Sequence, residues 1–160
     1  MLEKIEIYII IFAIYSVIGW IMEITLGLIS KRKFVNRGFL IGPYCPIYGF
    51  GGVAITILLS NFMKTIDQVS LIDSIWISTI VIMCICGILE YITSYVMEKL
   101  FHARWWDYNN FKFNINGRIC LETLIPFTII GQIILRYASP AFINILSNIP
   151  EIWLHILTGA

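Results

Sequence analysis

Charged residues are scarce in this sequence, and their scarcity excludes a soluble globular domain. Only 13% of the 160 residues are Asp, Glu, Lys or Arg, whereas 59% are hydrophobic, and the mean hydropathy is +0.85. Soluble domains are about one quarter charged and about half apolar. The composition therefore predicts an integral membrane protein.

Motifs of several enzyme and binding classes are also missing. No Gly-Lys pair occurs, which excludes a Walker-type phosphate loop, and His102 and His155 stand isolated from any Ser-His-Asp or His-Glu-x-x-His arrangement. The basic residues are dispersed, which argues against nucleic acid as a partner. The four cysteines have no metal-binding spacing and are expected to pack as small apolar side chains. The sequence thus predicts no metal and no cofactor.

Long apolar runs are what the sequence does contain. A helix needs about 20 apolar residues to cross a membrane. Runs of this kind predict spans at about 5–29, 47–63, 71–97 and 119–137, within a single membrane domain covering 1–160. Polar residues interrupt 140–160, and periodicity leaves open whether this tail is a fifth span or an interfacial helix. The predicted fold is an all-α bundle of four to five transmembrane helices.

Two basic loops predict the orientation in the cell membrane. Loop 30–38 carries four basic and no acidic residues, and loop 98–118 also has a basic excess. The positive-inside rule places both loops in the cytoplasm and the N-terminus outside.

Segment 38–52 is rich in helix breakers. It contains five glycines and two prolines, and includes Gly42, Pro43 and Tyr48. We interpret it as a re-entrant or broken stretch that lines a cavity, because irregular backbone at membrane depth needs protein or water partners. The alternative is a bent helix start in which the glycines permit close packing.

A faint duplication relates the two helix pairs. Gly19 precedes Glu23 as Gly87 precedes Glu90, and each glutamate lies eight or nine residues before the first basic residue of the following loop. At helical rise this is roughly 12 to 14 Å, so the two carboxylates share a depth. A true repeat would be parallel and would enclose a shared cavity; chance similarity is the alternative.

Carboxylates within the spans supply the candidate chemistry. Because a charge near the bilayer centre costs about 2.5 to 3.5 kcal/mol, such residues usually face the interior and pair. They either fix helix register as ion pairs, or one of them binds a proton, a cation or a substrate amine. The carboxylates are Glu23, Glu90 and Glu122, and the expected cationic partners are Arg37, Arg104 and Arg118.

The second inner loop concentrates aromatic and charged residues. Arg104, Trp105, Trp106, Asp107 and Tyr108 are consecutive. They are suited to clamp a zwitterionic or phosphate-bearing ligand; the alternative is an aromatic belt at the membrane interface. The remaining predicted ligand or pathway residues are Glu98 and Asn116.

Four stretches carry a family resemblance. Segments 104–108, 113–121, 37–43 and 46–49 resemble the type IV ABC-transporter permease family, the CmpB-like small bacterial membrane proteins, over about 19–126. The resemblance implies a multi-pass permease-like subunit.

Three functions remain open from the sequence. The favoured one is a transport subunit, in contact with the lipid bilayer and with an ATPase or a second copy of the chain. The second is a membrane enzyme acting on a lipid or isoprenoid phosphate head group, with Glu90 or Asp107 as acid or base and arginines holding the phosphate. The third is a regulatory or partner-binding membrane protein.

Overall fold

A computed structural model describes residues 2–31, 42–66 and 70–159, which are mostly helical; loops and one short hairpin connect the helices. The helices are α1 (Leu2–Lys31), α2 (Pro46–Ile66), α3 (Leu71–Phe101), α4 (Leu121–Ile133), α5 (Ser139–Ser147) and α6 (Glu151–Thr158). The hairpin pairs β1 (Asn114–Ile115) with β2 (Ile119–Cys120) in antiparallel register. The predicted all-α fold class is confirmed.

Three helices in the described part of the chain are long and apolar enough to cross a membrane. They cover Lys4–Ile29, Ile72–Phe101 and Leu121–Ser147, and a shorter apolar stretch covers Pro46–Leu58. Their surfaces carry many exposed isoleucines, which is what a lipid environment favours. The chain is therefore a membrane protein. Its orientation in the membrane stays a prediction.

The last long helix extends beyond the predicted end at Tyr137. A π-helical turn, Ile134–Ala138, joins α4 to α5, and helical backbone continues to Ser147. Pro140 lacks the N–H that would bond to the carbonyl four residues earlier, and a π turn re-registers the ladder at such a point. After α5 the chain turns, and Pro150 precedes the short helix α6.

The start of α2 is regular helix from Pro46, preceded by a bend. At Gly49 a Cβ would lie 2.7 Å from the Phe12 carbonyl oxygen and would overlap the Ser16 hydroxyl. Glycine thus allows α1 and the start of α2 to approach closely. Close glycine packing, the second of the two interpretations of segment 38–52, describes the part from Pro46 onward; residues 38–41 lie outside the described residues.

The contacts divide the chain into two compact units, and the prediction of a single membrane domain stays a prediction. The first unit comprises Met1–Val53 and Ser139–Ala160. In it the Tyr15 hydroxyl hydrogen-bonds the Ser139 hydroxyl at 2.9 Å. The α6 helix packs against α1 and buries Leu154 completely.

The second unit comprises Ala54–Ala138, and its core lies where α2, α3 and the π turn after α4 meet. Ile55, Ile82 and Leu135 form the buried cluster. Near the far end of the α3–α4 pair, Gly87 faces Leu124. The two helices therefore run antiparallel, and the loop 102–120 that joins them closes one end of the pair.

Candidate functional site

The loop between α3 and α4 folds back through a tight turn. His102 ends α3 in the left-handed conformation, with φ of 52°. Asn116 and Gly117 have φ of 54° and 66°, and the Arg118 N–H donates to the Ile115 carbonyl at 3.0 Å. Two positive φ values identify a type I′ turn, for which Asn-Gly is the preferred sequence. The turn brings Arg118 back to the end of α3.

Arg118 is almost fully buried and forms the centre of an ionic cluster. Its side chain pairs with Glu98 and donates to the Ser94 hydroxyl at 3.3 Å. The guanidinium also lies over the rings of Tyr91 and Tyr95, at 5.7 and 5.3 Å from their centroids. These contacts use one stripe of α3, because residues three or four apart share a helix face. Arg118 thus binds within the protein to a carboxylate and two aromatic faces.

Glu98 also binds a second arginine. The Arg104 Nε lies 3.1 Å from the Glu98 carboxylate, and the Arg104 Nη1 lies 3.8 Å from the Asp107 carboxylate. Arg104 further donates to the Asn116 carbonyl, at 3.4 Å. The Glu98 carboxylate therefore bridges Arg104 and Arg118, and the hairpin turn positions Arg118.

Glu90 occupies a drier position two turns before Glu98 on α3. Its side chain is buried, and one carboxylate oxygen accepts a hydrogen bond from the Tyr108 hydroxyl at 3.2 Å. The other oxygen, Oε2, is buried and has no hydrogen-bond partner among the described residues. Burial, together with the negative charge of Glu90, raises the pKa of Tyr108 well above its ordinary value. Tyr108 therefore stays protonated and acts as the donor.

The aromatic residues of the loop have different roles. The Trp106 indole donates to the Arg118 carbonyl at 2.8 Å, and the Tyr108 N–H donates to the Gly117 carbonyl at 2.8 Å. Asp107 accepts from the Asn109 N–H, whereas Trp105 is exposed. Trp106 and Tyr108 thus attach the loop to the hairpin. Ligand binding by the five consecutive residues from Arg104 to Tyr108 stays a prediction.

Comparison with known proteins identifies the family. The family described as "putative ABC-transporter type IV" matches residues 10–160. The chain belongs to this family. The resemblance inferred from the motifs is confirmed, and the match also includes the tail beyond 137. Neither the curated proteins nor the solved structures gave a match to the chain.

A second carboxylate of this ABC-transporter type IV family member lies in the first unit. Glu23 accepts a hydrogen bond from the Tyr48 hydroxyl at 2.6 Å. Burial and the charge of Glu23 raise the pKa of the nearby Cys45 thiol to about 11, so only a small fraction of this cysteine is the reactive thiolate at neutral pH. Gly42 and Pro43 form the bend before α2. A cavity shared by Glu23 and Glu90 stays a prediction.

Two predicted site residues do not join these groups in the described structure. Glu122 lies in the first turn of α4 and is exposed. Arg37 lies outside the described residues. Glu98, Arg104 and Arg118 do meet, so the expected pairing of carboxylates with arginines occurs at the end of α3.

Sequence reasoning missed two polar contacts of this family member. His155 is isolated in the sequence but pairs in the structure with Glu6, which is buried near the start of α1. Gln132 and Arg136 on the last long helix bond to hydroxyls of α3. The spacing of Gln132 and Arg136, four residues apart in an apolar run, is the signal that could have revealed the second contact.

Proposed function

We propose that this protein is the membrane subunit of an ABC-type permease, and that Glu90 binds a positively charged group during transport. That group is a proton, a metal cation or a substrate amine. The observation that carries the proposal is the buried Glu90 carboxylate, which has one oxygen bonded to Tyr108 and the other without a partner among the described residues.

The cost of burial supports a functional role for Glu90. A buried ionised group is expensive unless it is paired and fully hydrogen-bonded. Glu98, two turns further along α3, has two arginine partners, whereas Glu90 forms no ion pair within the described residues. Ionisable groups within membrane helices are rare, and those that occur often mark ion and substrate pathways.

The loop between α3 and α4 supports contact with a partner protein. Its backbone is fixed by the hairpin and by Trp106 and Tyr108, yet it exposes Phe111, Lys112 and Phe113. A rigid loop with exposed aromatic and basic side chains suits docking of a soluble ATPase, because little ordering entropy is lost on binding.

The proposed function is tested by purifying the tagged protein in a mild detergent from cells that naturally express it. We expect a second polypeptide in stoichiometric amount and ATP hydrolysis by the complex. Glu90→Gln should keep the second polypeptide but lower ATP turnover at least about tenfold, because the cation site is lost. Glu122→Gln removes an exposed carboxylate from the next helix and serves as the matched control.

Two outcomes would refute the proposed function. A pure single polypeptide without ATP hydrolysis would remove the permease assignment and favour a regulatory membrane protein. Equal ATP turnover in the wild type and Glu90→Gln would remove the role of Glu90. A lipid-phosphate enzyme is supported less well, because Arg104 and Arg118 are already paired with Glu98.

A further inference from the structure

A second polar group lies between the membrane-spanning helices α3 and α4, far from Glu90. Gln132 donates to the hydroxyls of Ser78 and Thr79, at 2.9 Å each. Its carbonyl oxygen accepts from the Arg136 Nε at 3.1 Å, and the Arg136 Nη2 donates to the Ser78 hydroxyl at 3.4 Å. Ser78 lies 12 residues before Glu90, which corresponds to about 18 Å along the helix.

Arg136 has a net charge without a counter-ion in the part of the chain that the structure describes. All its contacts there are neutral oxygens, and its Nη1 has no partner among the described residues. An arginine in a membrane-spanning helix is costly and normally finds an anion or reaches the interface. We therefore expect the Arg136 guanidinium to bind an anion that lies outside the described residues.

Two exposed aromatic residues beside Arg136 support a position near the lipid head groups. Because α3 and α4 run antiparallel, Trp76 lies at the level of Arg136, and Tyr137 follows Arg136 directly. Trp76 is 65% exposed and Tyr137 is 71% exposed. Trp and Tyr are enriched at the level of the head groups, where one edge of the ring contacts polar groups.

An apolar groove begins at the same glutamine. It has a volume of about 250 Å³ and is lined by Thr79, Met83, Ile125, Thr128, Ile129 and Gln132. Ile125 and Ile129 are exposed, so the groove is open on the surface that faces lipid. A lipid chain fits this groove chemically, because its lining is almost entirely apolar and it continues from a polar end towards the membrane interior.

We propose that Arg136, Gln132 and this groove form a binding site for a phospholipid with net negative charge. The lipid phosphate accepts hydrogen bonds from the Arg136 guanidinium, and one acyl chain lies in the groove between α3 and α4. Gln132 is a positioning residue, because its carbonyl holds the guanidinium and its amide group is held by Ser78 and Thr79. Arginine suits this role because its planar donor group binds phosphate oxygens in pairs.

The site is tested by native mass spectrometry of the purified protein titrated with phosphatidylglycerol or phosphatidylcholine. We expect wild type to retain one phosphatidylglycerol and to prefer it over phosphatidylcholine. Arg136→Gln should weaken phosphatidylglycerol binding at least about tenfold, as expected for loss of a charge-assisted contact, while Arg136→Lys should retain part of the affinity. Lys99→Gln, which removes an exposed cation from the last turn of α3, should leave binding unchanged.

A second arm separates the groove from the phosphate contact. Ile129→Trp should fill the groove and weaken phosphatidylglycerol, and soluble glycerol phosphate should not displace the lipid at equal concentration. Circular dichroism and gel filtration establish that each variant folds; if Arg136→Gln does not fold, Arg136→Lys and Ile129→Trp decide. Equal affinity of wild type and Arg136→Gln, or of wild type and Ile129→Trp, would overturn the proposal, as would displacement by glycerol phosphate.

Discussion

Removing the Tyr108 hydroxyl tests whether Glu90 is a buried carboxylate with too few hydrogen-bond donors. Tyr108→Phe keeps the ring and deletes the one hydrogen bond to Glu90 that the structure shows, at 3.2 Å. Because Glu90 Oε2 already has no partner among the described residues, the variant leaves the whole carboxylate without a donor there.

The expected free-energy change follows from the geometry of this bond. A hydrogen bond to a charged group contributes about 1.5 to 3 kcal/mol in soluble proteins. Polar contacts between membrane helices average about 0.6 kcal/mol and reach about 1.7 kcal/mol. A length of 3.2 Å is long for a hydroxyl donor, whereas the burial of Glu90 strengthens the bond. We therefore expect a coupling of about 1 to 1.7 kcal/mol.

A double-mutant cycle measures this coupling. Unfolding free energies of wild type, Tyr108→Phe, Glu90→Leu and the double variant are determined in mixed micelles by titration with a denaturing detergent. Tyr95→Phe is the control, because that ring lies over Arg118 and is 46% exposed, so we expect a change within about 0.5 kcal/mol. A coupling between Tyr108 and Glu90 below about 0.5 kcal/mol would refute the reasoning.

Three further predictions concern packing, reactivity and the C-terminal helix. Gly49→Ala should destabilise the protein by about 1 to 3 kcal/mol, because the added methyl group overpacks the contact with α1. Gly87→Ala is the control, because its Cβ would meet its nearest neighbour at 3.7 Å; it should be neutral or stabilise the protein by up to about 1 kcal/mol. Thermal unfolding measures both changes. The pKa of Cys45 is near 11 instead of 9.0, so its alkylation at neutral pH should be about 100-fold slower than that of an ordinary thiol. The rate should rise about tenfold for each added pH unit. Mass spectrometry measures the alkylation rate, and equal rates in the folded and denatured protein would contradict this prediction. His155→Ala should leave Glu6 without its partner and loosen α6 by about 1 to 3 kcal/mol, seen as faster hydrogen exchange in 151–158, and unchanged exchange would rule it out.

The approximate positions of the long helices could be predicted from the sequence, but their ends could not. The last long helix continues past Pro140 with a π turn before the proline, and single-sequence periodicity carries no signal for a change of hydrogen-bond register. The glycines of α2 likewise predict a broken helix from the sequence alone, and only their close neighbours on α1 show that they permit helix packing. At Gly49 those neighbours are Phe12 and Ser16.

The sequence could predict that carboxylates and arginines pair at this site. Glu98, Arg104 and Arg118 lie near one another in the sequence, and the Asn116-Gly117 turn between the strands is a local signal for a hairpin. Which carboxylate receives which cation was not predictable, because it depends on the helix face on which each side chain lies.

Composition and the long apolar runs by themselves determined that this chain enters a membrane, since a helix of about 20 consecutive apolar residues is stabilised by lipid whatever its tertiary contacts. The family could also be identified from the sequence, because its motifs are short stretches of consecutive residues. The tertiary structure decided which polar groups are satisfied: His155 reaches Glu6 across 149 residues, and Glu90 finds one donor in Tyr108. Hydrogen bonds act over about 3 Å, so only the folded arrangement of the helices can determine them.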